Sequence, residues 1–327
     1  MSKSHKYLHK SKNGFGISPL MQELMSYAGH LECYAKSDEI LERFLPVSVN
    51  PSQVYRVTNH ISEQLTDEEP ESERLLPMIA KGDYLYTEVD GSMIHTREES
   101  WKEVKLARLF KSTDCLNPNT ESAWLKQSQY LAHFGNCKDF CEKTEKVIDS
   151  YGCVGDHLVF ITDGAAWIKN WIEISYPKAI AVLDYYHACQ HLHDFVENGL
   201  KTEPAETQKK WFDEQKELLL ESGVKQVITN IEATNAKAPE KQKLINYYKT
   251  NIERMDYKLY RQIGCGIIGS GAIESAHKTV IQQRMKLSGQ QWSRNGAENM
   301  LRLRVISMNK QWHKVITILR KPTARAA

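Results

Sequence analysis

The chain has 327 residues, 41 % of them hydrophobic and 26 % charged, with a formal net charge of +2. That composition is ordinary for a globular protein, and the length allows one large core or two to three smaller units. No run of 18 apolar residues occurs, so no membrane span is predicted, and the basic first ten residues lack the apolar stretch of a secretory signal. Seven cysteines, an odd number scattered from Cys33 to Cys265, argue against a disulfide framework and for a reducing, cytoplasmic compartment.

Residues 17–65 read as helices. Met21, Leu24, Met25 and Ala28 recur at helical spacing, as do Ile40, Leu41 and Phe44. A turn at 46–51 leads to a third helix with Val54, Val57 and Ile61 on one face. Such a segment is either a helix-turn-helix DNA-binding unit or a plain packing unit. An acidic linker is predicted at 67–73.

From Tyr84 the pattern changes to β. A strand over 84–89 leads into Asp90-Gly91, where a tight turn is expected, and further strands are predicted at 92–96 and 103–110. A helix at 136–150 precedes the run 157–162, which ends at Asp163-Gly164, and a helix follows through Trp167 and Ile168. The run 179–183 ends at Asp184. Three meandering strands, a crossover helix and two strands alternating with helices describe a mixed α/β sheet covered by helices. Residues 196–260 carry no β signal and read as an all-helical insertion, for which a peripheral subdomain without chemistry is the plainest account.

Asp90 and Asp163 each stand at the polar end of an apolar run, and Glu274 opens a helix after the glycine-rich stretch 264–271. Three carboxylates held by a sheet and a facing helix suit divalent cations, because Mg²⁺ takes oxygen ligands. The competing account makes each acid a turn or cap residue, as Asp-Gly pairs often are. On the helix of Glu274, His277 and Lys278 share its side, with Arg284 and Lys286 beyond. Residues 276–327 hold eleven Lys and Arg against the single acid Glu298, while 61–75 hold six acids against one Arg. A basic stripe beside a cation site is what a phosphate backbone requires, so Lys278, Arg284 and Lys286 are predicted phosphate contacts; the competing account of the stripe is a solvated helix face. Gly264, Gly266 and Gly269 match a dinucleotide-binding spacing without its second strand, and Cys189, His191 and His193 lack the paired cysteines of a zinc site.

The ordered motifs Val89-Asp90-Gly91, Thr162-Asp163-Gly164-Ala165, Asp184-Tyr-Tyr-His187 and Gly271-Ala-Ile-Glu274-Ser275, with Arg284 ten residues on, resemble the DDE transposases of bacterial insertion sequences, nearest to the Mutator-like group. The resemblance runs from about Tyr84 to Leu303. It implies a ribonuclease-H-like mixed sheet flanked by helices, with a helical insertion before the last acid. By that resemblance Asp90, Asp163 and Glu274 hold two Mg²⁺ or Mn²⁺ ions, Asp184 and His187 form an accessory motif, and Glu298 is the fallback third acid. The implied partners are the element's terminal inverted repeats and target DNA, bound by a homo-oligomer at the bacterial nucleoid, with no membrane. The implied organisation is a helical, DNA-binding region with its linker over 1–76, a catalytic core over 77–195, the insertion over 196–261 and the rest of the core with basic helices over 262–327. Two other functions remain open from the residues: a nuclease of the same fold without strand transfer, and a catalytically inactive, transposase-derived DNA-binding protein. The N-terminal region departs from the family in being short and without a clear zinc module.

Overall fold

The computed structural model describes residues 15–65, 78–118, 124–152 and 155–320; the predicted acidic linker at 67–73 lies outside them. Three N-terminal helices come first: α1 (Pro19–Leu31), α2 (Tyr34–Phe44) and α3 (Pro51–Glu63). Ser18 caps α1 and an Asn50–Gln53 capping box starts α3, each with proline at the first helical position, where its missing N–H costs nothing. As the apolar spacing predicts, Met21, Met25, Val54, Val57 and Ile61 are all buried.

The sheet follows. β1 (Leu85–Thr96) and β2 (Ser100–Lys111) form a long antiparallel hairpin; β3 (Cys115–Leu116) and β4 (Trp124–Leu125) make a small separate pair; β5 (Gln129–His133) returns to the edge of β2. Helix α4 (Cys137–Ser150) crosses to β6 (Leu158–Thr162), and α5 (Ala166–Ser175) leads to β7 (Ile180–Leu183). The order is β5-β2-β1-β6-β7, with β1, β6 and β7 parallel. Every residue of β6 is buried, because helices cover both faces of the parallel part. The turn expected at Gly91 does not form. β1 runs unbroken through it, Gly91 pairs with Lys105, and the reversal comes after Thr96. The far end of the Glu103 side chain lies where a Cβ at Gly91 would project, so a larger residue there would have to displace it. The third strand of the meander is β5, which the sequence did not signal.

Leu85, Val89, Leu158 and Phe160 pack against α4 and α5 on one face. The other face, with Tyr86, Val159, Ile161 and Val182, packs against α6 (Tyr185–Gly199), α7 (Ala205–Leu220), α8 (Val224–Ala233), α9 (Ala238–Asn251) and α10 (Tyr257–Tyr260). The insertion therefore shares its core with the sheet and is not peripheral. Next along the chain, α11 (Gly271–Ala276) passes into a π-helical turn (His277–Gln282) and α12 (Gln283–Met285), covering Ile94, Val104 and Leu106 together with α13 (Arg294–Met308). The opposite side of α13, through Leu303 and Ile306, joins α1, α3 and α14 (His313–Arg320) in a further core. No helix among the described residues is long and apolar enough to cross a membrane.

Two buried arginines fasten the N-terminal helices to this body. Arg304 donates to the carbonyls of Thr279 and Val280, within the π-helical turn, and to His30 O at 3.1 Å. Arg284 Nε donates to Gly29 O at 3.0 Å. Gly29 and His30 lie in the last turn of α1, whose carbonyls have no intrahelical partner and carry the negative end of the helix dipole. Arg284 is fully buried, its guanidinium 4.8 Å from the Tyr34 ring and 5.0 Å from that of Trp292. This corrects its predicted role as a phosphate contact: sequence counts a charge but does not show that two aromatic rings enclose it. Arg284→Ala is expected to destabilise the protein by roughly 2–4 kcal/mol, the scale of a large-to-small core change. A urea denaturation series checks this, with Lys286→Ala as an exposed control that stays near the wild-type value.

Candidate carboxylate site

The parallel register places the aspartates. Glu88 pairs with Ile161, and Ile161 with Val182. Continued two residues, the same register sets Asp90 of β1 level with Asp163, just past the end of β6, and Asp184, just past the end of β7. Side chains two apart share a face, so all three project to the side of Tyr86, Ile161 and Val182. β6 ends at Thr162, so β1 loses its parallel neighbour just before Asp90. Asp90 and Asp163 are both half-buried.

Local chemistry fixes each carboxylate. Asp90 Oδ1 accepts from Gly91 N at 2.7 Å, and Asp163 Oδ1 from Ala165 N at 3.0 Å. Gly164, at φ +93°, takes a left-handed turn that favours glycine and lets α5 start directly after Asp163. Beneath Asp163 the buried Arg254 donates to the Thr162 hydroxyl and, at 3.5 Å, to Val182 O, placing a cation under the ends of β6 and β7. Tyr247 of α9 donates to Asp163 O at 3.5 Å. Both residues come from the insertion, and nothing in their sequence context singles them out.

Asp184 is buried, and its contacts are structural. Its Oδ1 accepts from Tyr186 N at 2.8 Å as the cap of α6, while Ser270 Oγ donates to Oδ2. Tyr185 N also donates to Ile268 O at 3.0 Å. Asp184 thus ties the glycine-rich loop to the sheet, and Gly269 is needed because the Tyr186 ring occupies the space of a Cβ. His187 is half-buried, edge-on to His191 with ring centroids 4.9 Å apart, and His191 lies on Tyr247 at 4.0 Å.

The loop delivers α11 over the row. Ile273 N donates to Glu88 Oε2 at 2.6 Å, and Arg108 donates to Ala272 O at 2.8 Å. Glu88 and Arg108 are direct cross-strand partners, so one pair on β1 and β2 clamps the first turn of α11. Glu274 is exposed on that turn, and Lys278 and Lys286 are exposed beyond it. His277, one turn after Glu274, is buried with Nε2 3.2 Å from Asp90 Oδ2. Glu298 lies in α13, bonded to Arg294 at 3.2 Å.

Asp90, Asp163 and Glu274 do not bring three ligand atoms within 4.8 Å of one another; among the described residues the group that does is His193, Asp194 and Glu197, along one face of α6. Cys189, His191 and His193 do not gather either, since Cys189 is buried in the core while His193 rests on Phe212. The residue that sequence reading missed is Glu88, fully buried two positions before Asp90 on the same face. Period-2 alternation from Asp90 was the available signal. Burial pushes its carboxyl up to about 8, opposed by the Ile273 N–H and the Arg108 charge and reinforced by the Asp184 and Glu274 carboxylates.

The chain belongs to the Uncharacterised protein family (UPF0236), whose model matches residues 17–321. No curated protein matches it.

A raised carboxyl binds its proton more tightly when folded, so stability is complete below the unfolded value of about 4.5 and falls as pH rises toward 8. Between pH 6.5 and 8, where His30, lowered to about 4 by burial and by Arg304, is largely neutral, Glu88 is expected to cost up to about 1.4 kcal/mol per pH unit. Urea unfolding across that range should show the decline in wild type, and Glu88→Gln should abolish it.

Proposed function

We propose that this protein is a DDE transposase with a ribonuclease-H-like core, cutting DNA strands at the ends of an insertion sequence and joining them to target DNA. The observation that carries the reading is Asp90 on β1 and Asp163 just past the end of the parallel strand β6, with Glu274 on the helix clamped above them. The strand order β5-β2-β1-β6-β7, with β2 antiparallel between β1 and β5, agrees with it. So does the helical segment that separates β7 from α11.

The donor chemistry suits a hard divalent cation: Asp90, Asp163 and Glu274 offer carboxylate oxygens from half-buried or exposed positions, and the buried Arg254 lies near enough to Asp163 to favour its negative charge. Mg²⁺ or Mn²⁺, two per site, would activate the attacking oxygen and stabilise the leaving oxygen of a phosphodiester. The chain's own residues do the positioning. Glu88 and Arg108 set the height of α11 above the sheet, and Asp184 with Ser270 fixes the loop before it. Lys278 and Lys286, exposed after Glu274, meet backbone phosphates and carry no sequence information. The N-terminal helices supply a DNA-binding region, and synapsis of two ends calls for a homo-oligomer.

The test is Mn²⁺-dependent cleavage and joining of labelled DNA carrying the sequences that flank the gene, beside an Asp163→Asn protein purified identically. Cleavage and joining are expected in wild type, both reduced at least about 10²-fold in the variant, the scale of losing one charge-stabilising group. Cleavage without joining would instead make the protein a nuclease. Two inert proteins that both bind DNA would make it an inactive, transposase-derived binding protein.

A further inference from the structure

His277 is 4 % exposed, yet neither ring nitrogen has a hydrogen-bond partner. A core histidine normally bonds at least one nitrogen, because a polar atom buried without a partner gives up its hydrogen bonds to water and gains none in return. Nε2 does lie 3.2 Å from Asp90 Oδ2, but outside hydrogen-bonding geometry. That separation has another meaning. Two ligands at right angles on one ion, each about 2.1 Å from it, stand about 3 Å apart. His277 also follows Glu274 by three residues, so imidazole and carboxylate lie on one side of the helix. It opens the π-helical turn, a local widening that occurs disproportionately at functional sites.

We propose that His277 is a fourth donor to the Asp90–Asp163–Glu274 cation site, adding an imidazole nitrogen to the carboxylate oxygens. The inference rests on the carboxylate-site reading above and adds a selectivity to it. Mg²⁺ is a hard ion that favours oxygen, whereas imidazole suits the first-row transition ions. A mixed donor set therefore tilts the site toward Mn²⁺ relative to an all-carboxylate one. His277 and Asp90 already stand at ligand-to-ligand distance; Asp163, just past the end of β6, and Glu274, one turn earlier on the same helix, would have to close in on the ion to complete the set.

The experiment uses the full chain and Mn²⁺ alone, read by pulsed electron paramagnetic resonance, which detects a nitrogen bonded directly to the ion. A His193→Gln background removes the imidazole of the α6 group from the signal. Directly bound ¹⁴N is expected in that protein. In His277→Gln the nitrogen signal should vanish while Mn²⁺ still binds, about 10-fold more weakly, and the preference for Mn²⁺ over Mg²⁺ in competition should narrow. Asp90→Asn should weaken binding as well. Bound Mn²⁺ that Asp90→Asn weakens but that shows no nitrogen coupling would overturn the role of His277 and leave the carboxylate site standing. Mn²⁺ binding that is absent, or indifferent to Asp90→Asn, would overturn both. The decisive signal is read with His277 intact, so a folding defect in the His277 variant, visible by circular dichroism, cannot mimic a negative result.

Discussion

The parallel register of β1, β6 and β7 is the constraint on which the rest of this site depends. Pairing Glu88 with Ile161, and Ile161 with Val182, brings level three aspartates that are far apart in sequence. A slip of one residue in β6 would turn Asp163 to the face of α4 and α5 and put Thr162 or Gly164 in its place beside Asp90. The slip is opposed from both sides, because Leu158 and Phe160 are locked in one core and Val159 and Ile161 in the other. Apolar burial that identifies no function thus determines where the charged groups stand.

Against this sheet the helical elements act as fasteners. Glu88 and Arg108 seize the first turn of α11, Arg254 reaches from the insertion to the end of β6, and Asp184 holds the glycine-rich loop. Each is a charged side chain that is buried or half-buried and bonded to backbone or to a hydroxyl. The site is therefore built on charged groups of which several are spent on bonds inside the protein. Arg284 and Arg304 repeat the pattern at the N-terminal helices, where main-chain carbonyls at the end of α1 need donors.

Much of this was legible in the sequence. The runs before Asp163 and Asp184 read correctly as strands because parallel strands buried on both faces are nearly continuous in apolar residues. Gly91 misled, since glycine after aspartate signals a turn, and only the partner strand reveals a side chain needing the room. β5, Gln129-Tyr-Leu-Ala-His133, escaped notice because it is a mostly half-buried edge strand without a strong alternating pattern. Arg284 and Glu88 misled or escaped for the same reason. A charged residue in sequence is assumed to be solvated, and burial is decided by elements far along the chain. Glu274 and His277 were legible as helical neighbours, but the approach of His277 to Asp90 depends on how α11 crosses β1.

The π-helical turn between Ala276 and Gln283 has a consequence for how sequences of this family should be aligned. An α-helix advances about 100° per residue, so one residue gained or lost rotates everything beyond it by about that angle. Glu274 lies before the widened turn and Arg284 after it, and each is seated by a different layer of the protein. The widened turn holds one residue more than an ordinary α-helical turn, so a relative lacking one residue here keeps both groups in place if the turn closes to regular α-helix. The π-helical turn is thus the place where a one-residue gap belongs in such an alignment, whereas a one-residue gap in the regular α-helical segments on either side would separate the arginine from its rings or the third carboxylate from the sheet.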